Sequence, residues 1–222
     1  MKKSIILIFL VLLIDQIIKI YVKTHFYLGE EIDVCGLSWF KIHFIENKGM
    51  AFGMNFGDNI GKFLLTLVRI VASVLIFIYL THLIKKKEKP LIIYAFSLIF
   101  AGAVGNIIDS LLYGILFSKS TFFQVATFMP VDGGYAPMLF GKVVDMFYFP
   151  LIDMDLPAWI PMFGGRHFSF FDAIFNFSDA AITVGVVLLI IGIFIKEKEE
   201  KKNQKDISIQ AKDAVNAQNA ID

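Results

Sequence analysis

The sequence predicts a membrane protein of the all-α class, with four transmembrane helices, a small β-sheet and long loops on one face of the bilayer. Three observations carry this. Hydrophobic residues fill 57% of the 222 positions and charged residues 18%, below the roughly 25% charged that is usual in soluble domains, and mean hydropathy is +0.68. Four apolar stretches are long enough to cross a hydrocarbon core of about 30 Å. Lysines crowd the ends of these stretches on one side and are sparse on the other. The net charge of +1 gives no argument for a nucleic-acid partner, and the single Cys35 excludes an internal disulfide or a cysteine-based metal cluster.

The first span is expected over residues 4–22. Lys2 and Lys3 followed by an apolar run resemble the start of a signal peptide. No small-residue cleavage site follows, however, and Asp15-Gln16-Ile17-Ile18-Lys19 carries the apolar pattern onward. Asp15 and Lys19 stand at i, i+4 and share a helix face. Residues 24–62 form a mixed loop in which Phe40, Ile42 and Phe44 alternate with Trp39, Lys41 and His43, the period of a strand. The glycines that follow, Gly49, Gly53, Gly57 and Gly61, suit a backbone that turns tightly or approaches a ligand.

The second span, residues 63–84, holds Arg69 as its only charge, less than two turns from its start and able to snorkel outward. The third, residues 91–109, places Asn106 and Asp109 at i, i+3 near its end, after small residues that let helices approach closely. Residues 110–172 form a long non-spanning loop containing Val143-Val144-Asp145-Met146-Phe147, a carboxylate among apolar neighbours. The fourth span, residues 173–195, opens on Asn176 and Asp179, and residues 196–222 read as a polar, disordered tail.

Lysine placement orients the chain. Lys2, Lys3, Lys85 to Lys87, Lys89 and the tail lysines fall on one side, which the positive-inside rule makes cytoplasmic together with both termini. The loops 24–62 and 110–172 then lie outside. In this topology Asp15, Asn47, Asn106, Asp109, Asp145, Asn176 and Asp179 converge on one depth near the outer face. Any one of them reads as a helix cap or as packing glue, but together they suggest a site. Two buried carboxylates that share a proton can activate water and protonate a scissile carbonyl oxygen without a metal. No His-Glu-x-x-His occurs for zinc. An ion- or proton-coupled transporter is the competing class, but it calls for acids spread through the membrane depth and often an internal repeat.

Five blocks in order carry a resemblance: Asp15-Gln16-x-x-Lys19, Asn47-x-Gly49-x-Ala51-Phe52-Gly53, Gly105-Asn106-x-x-Asp109, Val143-Val144-Asp145 and Phe175-Asn176-x-x-Asp179-Ala180-Ala181. Over residues 4–195 the chain resembles the lipoprotein signal peptidases, the type II bacterial signal peptidases. The resemblance implies an aspartic endopeptidase of the bacterial inner membrane, with its site and sheet at the periplasmic face. It would cleave diacylglyceryl-modified prolipoproteins before the lipidated cysteine. Asp145 and Asp179 would be the catalytic pair, and Asp15, Asn47, Gly49, Asn106, Asp109 and Asn176 substrate-binding or supporting residues. Lipidated prolipoproteins and membrane phospholipid are the implied partners, with a monomer and no cofactor.

Two departures stand out. Ser110 occupies the place where the family usually has Arg, leaving Arg166 or Lys142 to take over its role. Segments 117–141 and 150–171 look inserted, and their Phe, Met and Trp content suggests a membrane-surface position or a lid.

Overall fold

The computed structural model describes residues 2–47, 58–155, 157–159, 161–162 and 164–219. Among them are four helices long and apolar enough to cross a membrane: α1 (Lys2–His25), α2 (Asp58–Lys85), α3 (Pro90–Ile108) and α5 (Phe177–Asn219). Their exposed faces are rich in Ile, Leu, Val and Phe, as lipid contact requires. What they bury includes apolar residues such as Val11, Leu80 and Ile92, and also many small or polar ones. Gly102 and Gly105 of α3 face Ser178 of α5, and a Cβ at Gly102 would overlap the Ser178 carbonyl oxygen. That close approach places the two polar helix ends side by side.

The third span does not stop at residue 109. After α3 the chain makes a π-helical turn, Asp109–Tyr113, and a short α4, Gly114–Leu116. Ser110 Oγ donates back to the Asn106 carbonyl here, and the widened turn lies beside the polar cluster, where such bulges tend to occur. The fourth helix starts at Phe177 rather than 173, and it runs through the charged segment to Asn219 instead of giving way to a disordered tail at 196. Lys, Glu, Gln and Ala favour helix, and Lys201 pairs with Glu197 at i, i+4 over 2.6 Å. Lys196 and Glu199 also bond Glu88 and Lys89, in the connection between α2 and α3.

The sheet draws on both long loops, where the sequence pattern located it in the first. Strands β1 (Glu31–Val34), β2 (Leu37–Asn47), β3 (Val143–Tyr148) and β6 (Ile174–Phe175) form one antiparallel sheet in the order β1-β2-β3-β6. Strands β4 (Ile152–Asp155) and β5 (His167–Phe170) make a separate hairpin within the second inserted segment. The sheet rests on the helix ends through a core of Val22, Phe44, Tyr113, Phe117, Val144 and Met146. The first inserted segment is a brace bonded to several elements. Leu28 donates to the Thr121 carbonyl over 3.1 Å, and Lys62 and Thr66 of α2 donate to the carbonyls of Phe140 and Leu139.

Candidate active site

Residue types and spacing build the site in three layers. The outermost is a helix start. Asn176 precedes α5 and its Oδ1 accepts the Asp179 N–H over 2.9 Å, while the Asn176 N–H points back to Asp179 Oδ2 at 3.4 Å. This reciprocal pair is a capping box built from Asn and Asp. It also fixes the Asn176 amide: with Oδ1 held by a backbone N–H, Nδ2 faces the site. There it donates to Asp145 Oδ1 over 2.6 Å and to Asn106 Oδ1 over 3.1 Å. Asn176 therefore touches both aspartates.

Asp145 comes from β3, in register opposite Ile45 of β2. Its second oxygen accepts Asn47 Nδ2 over 3.1 Å, and only 2% of the residue is exposed. Burial first, and the Asp179 charge second, push its carboxyl up to about 7, against the amide hydrogen bonds of Asn176 and Asn47. Asp179 accepts Asn106 Nδ2 over 2.7 Å.

The innermost layer is ionic. Lys19 Nζ lies 3.0 Å from Asp15, 2.8 Å from Asp109 and 2.8 Å from Asn106 Oδ1, all of it buried. An ammonium only donates, so Lys19 turns the Asn106 oxygen toward itself and the amide N–H toward Asp179. The acids around it are held further. Asp15 accepts the Ser178 N–H at the start of α5 over 2.8 Å. Asp109 accepts from Gln16 Nε2 over 3.0 Å and from the Val144 N–H at 3.3 Å. Each buried charge is thus paired and hydrogen-bonded, the condition for tolerating it there.

Asp15, Asn47, Asn106, Asp109, Asp145, Asn176 and Asp179 all join this one network. The i, i+3 pair in α3 divides its labour, with Asn106 serving Asp179 and Asp109 serving Lys19 and β3. Gly49 lies outside the described residues. Lys19 and Gln16, which the sequence reading placed beside Asp15 but not among the site residues, are central to the network. Glu46 and Lys23 were missed altogether. Neither carried a motif, and each meets its partners only after β2 and β3 have paired.

Lys142 pairs with Glu46 over 2.7 Å, and Arg166 is exposed. The half-buried Arg69, in the first half of α2, acts electrostatically on Asp179, Asp145 and Asp109. Beside Asp179, a groove of about 360 Å³ opens between Phe171, Phe175, Ala180 and Val184. The arrangement thus offers two neighbouring carboxyl groups, amide donors to each, and an apolar groove alongside.

Comparison with known proteins matches this geometry to a family. The model of the family described as signal peptidase (SPase) II fits residues 7–195. A lipoprotein signal peptidase of Porphyromonas gingivalis is 48% identical over 186 residues, 83% of this chain and 80% of that one. The lipoprotein signal peptidase of Amoebophilus asiaticus is 34% identical over 82% of this chain and 73% of its own. A bacterial membrane enzyme solved in meso at 1.9 Å superposes with a TM-score of 0.57 at 25% identity, covering 87% of this chain and 93% of that one. With the family pattern running from the first span to the last, and relatives of this closeness across four-fifths of its length, the chain belongs to the signal peptidase II family of lipoprotein-processing membrane proteases.

Proposed function

We propose that the chain is an aspartic endopeptidase that removes the signal peptide from diacylglyceryl-modified prolipoproteins. It cleaves just before the lipidated cysteine, at the periplasmic side of the bacterial inner membrane. The single observation that carries this reading is Asn176, whose side-chain amide donates to the Asp145 carboxylate while its backbone N–H points to the Asp179 carboxylate. Burial, together with the like charge of Asp179, favours a pair that holds one proton. Asp145 keeps that proton and the ionised Asp179 takes one from a water between them. The resulting hydroxide attacks the scissile carbonyl carbon while Asp145 donates to the carbonyl oxygen. Collapse of the tetrahedral adduct returns a hydroxyl proton to Asp145 and breaks the C–N bond, and the amine of the lipidated cysteine leaves with the proton gained by Asp179.

Asn106 and Asn176 keep the two acids facing one space, and Asp15, Lys19 and Asp109 hold those amides in place. The groove at Phe171 and Phe175 suits an apolar part of the substrate, and phospholipid surrounds a monomeric enzyme. The test is processing of a diacylglyceryl-modified prolipoprotein by purified protein in detergent. Asp145→Asn and Asp179→Asn should each lower the rate by about a hundred- to ten-thousandfold, given what general acid–base groups contribute, while the protein still accumulates. Retained cleavage by either variant would exclude the mechanism.

A further inference from the structure

Outside the acid network lies a second buried ionic cluster. Glu46 of β2, whose side chain is 2% exposed, forms ion pairs with Lys23 of α1, itself 0% exposed, and with Lys142 at 2.7 Å. Ser120 Oγ donates over 3.0 Å to Glu46 Oε1, the oxygen that Lys23 holds. The Tyr135 ring lies 5.0 Å from the Lys23 ammonium and 5.6 Å from that of Lys142, and its hydroxyl accepts the Lys142 N–H over 2.6 Å. Burial works against ionisation of Glu46, yet Lys23 and Lys142 hold its carboxyl below the ordinary value.

The cluster sits where it sets the place of Asp145. Glu46 pairs in register with Val144, and Asn47 with Val143, so Glu46 is bracketed by the donor to Asp145 and by the residue before Asp145. Lys23 is one turn after Lys19 on α1, and both are fully buried. Through Asn106, Lys19 reaches Asp179. Through Glu46 and its neighbour Asn47, Lys23 reaches Asp145. One rigid helix therefore holds both halves of the acid pair by two lysines spaced about 6 Å apart along its axis.

We infer that Glu46, clamped by Lys23 and Lys142, is a positioning residue for Asp145, and that α1 sets the spacing of the two acids. This rests on the aspartic reading above. A displacement of about 1 Å costs on the order of a hundredfold in rate, so Glu46→Gln should lower kcat about 30- to 100-fold with KM changed less than about threefold.

The charge change gives a second readout. Asp145 is faced by Asn47 of β2, Asn176 and Asp179 at the start of α5, and more distantly by Lys19 of α1 and Arg69 of α2. Glu46 is faced by Lys23, Lys142, Ser120 and Tyr135. Removing the Glu46 charge leaves two ammonium groups acting on Asp145. The alkaline limb of the rate profile should then move to lower pH, whereas Lys142→Met should move it to higher pH.

The experiment measures kcat, KM and the pH profile of wild type, Glu46→Gln, Lys142→Met, Lys23→Met and Lys23→Arg on the lipidated prolipoprotein, with thermal midpoints alongside. Lys23→Arg should retain most activity, and Lys23→Met should lower kcat as Glu46→Gln does while moving the alkaline limb to higher pH, as Lys142→Met does. If Glu46→Gln does not accumulate, the opposite shift expected of Lys142→Met decides, because that variant leaves the Lys23–Glu46 pair in place. Unmoved pH limbs with losses confined to the amount of folded enzyme would overturn the inference. Activity surviving in an Asp145→Asn control would instead overturn the aspartic reading beneath it.

Discussion

Burying an ionised carboxylate for the sake of chemistry has a cost to stability, and Asp145→Asn exposes it. The Asp145 carboxyl rises from 3.8 to about 7 on folding. Between these values the native state binds more protons than the unfolded chain, so stability falls as pH rises through this window. At about 1.4 kcal/mol per pH unit the full interval corresponds to roughly 4 kcal/mol, all of it incurred by about pH 8. At about pH 5 only the part above 3.8 counts, on the order of 1.5 kcal/mol. Asparagine removes this cost, but its NH₂ must face one of two amide donors, Asn47 or Asn176, and the lost hydrogen bond returns about 1 kcal/mol. Asp145→Asn should therefore be more stable than wild type by roughly 3 kcal/mol at about pH 8 and nearly equal to it at about pH 5. Thermal unfolding of the two proteins in one detergent at both pH values measures this directly. A difference that does not change with pH, or a variant less stable at alkaline pH, would refute the reasoning.

Lys19→Met should be far more damaging than its conservative volume suggests. It leaves Asp15 and Asp109 buried without their cation, at a cost of about 3–5 kcal/mol, read as loss of folded protein on detergent gel filtration. Gly105→Ala should separate α3 from α5, because the added Cβ would overlap Ser178 Oγ and come within 2.8 Å of Asp15 Oδ2; a lowered thermal midpoint and reduced cleavage are the expected pair of results. Phe122 and Phe123 at the tip of the first inserted segment are 68% and 91% exposed, beside the end of α1. A tryptophan at position 123, with Trp39 and Trp159 replaced by Phe, should be quenched by lipids brominated near the headgroup more than by aqueous iodide.

What could be read from the chain was what depends on local spacing. Four apolar runs declared four helices, the i, i+4 Asp15–Lys19 pair declared its own ion pair, and Asn176 with Asp179 declared both a helix cap and a site. The two readings of that last pair describe one arrangement, since the capping bonds are what aim the Asn176 amide at Asp145. Partners far apart in sequence stayed hidden. Lys142 stands 96 residues from Glu46, and its pairing follows from the β2–β3 register, which no local pattern fixes. The position of Arg69 near the start of the second span was legible, but the acids it meets there were not, because they come from other segments. The tail misled for another reason: alternating charge is compatible with disorder or with a solvated helix, and Glu88 and Lys89, on another connection, supply contacts that accompany the helix.

The amides around the two acids suit the proton sharing that the proposed mechanism asks of them. A cation in direct contact would hold Asp145 ionised and remove the shared proton. Leaving Asp145 without donors would instead raise its carboxyl further. Asn47, Asn176 and Asn106 avoid both limits, because a neutral N–H stabilises a carboxylate modestly and tolerates its protonation. The full charges stand one step back. Lys19 meets Asp179 only through Asn106, and Lys23 stands behind Asn47 through Glu46. Replacing Asn106 by Asp would break this separation, since a third carboxylate would stand between Lys19 and Asp179 where an amide now donates. The expected outcome is loss of processing, with Asn106→Gln retaining more activity than Asn106→Asp at equal expression. Equal activity of the two variants would mean that the relay from Lys19 to Asp179 contributes nothing to the chemistry.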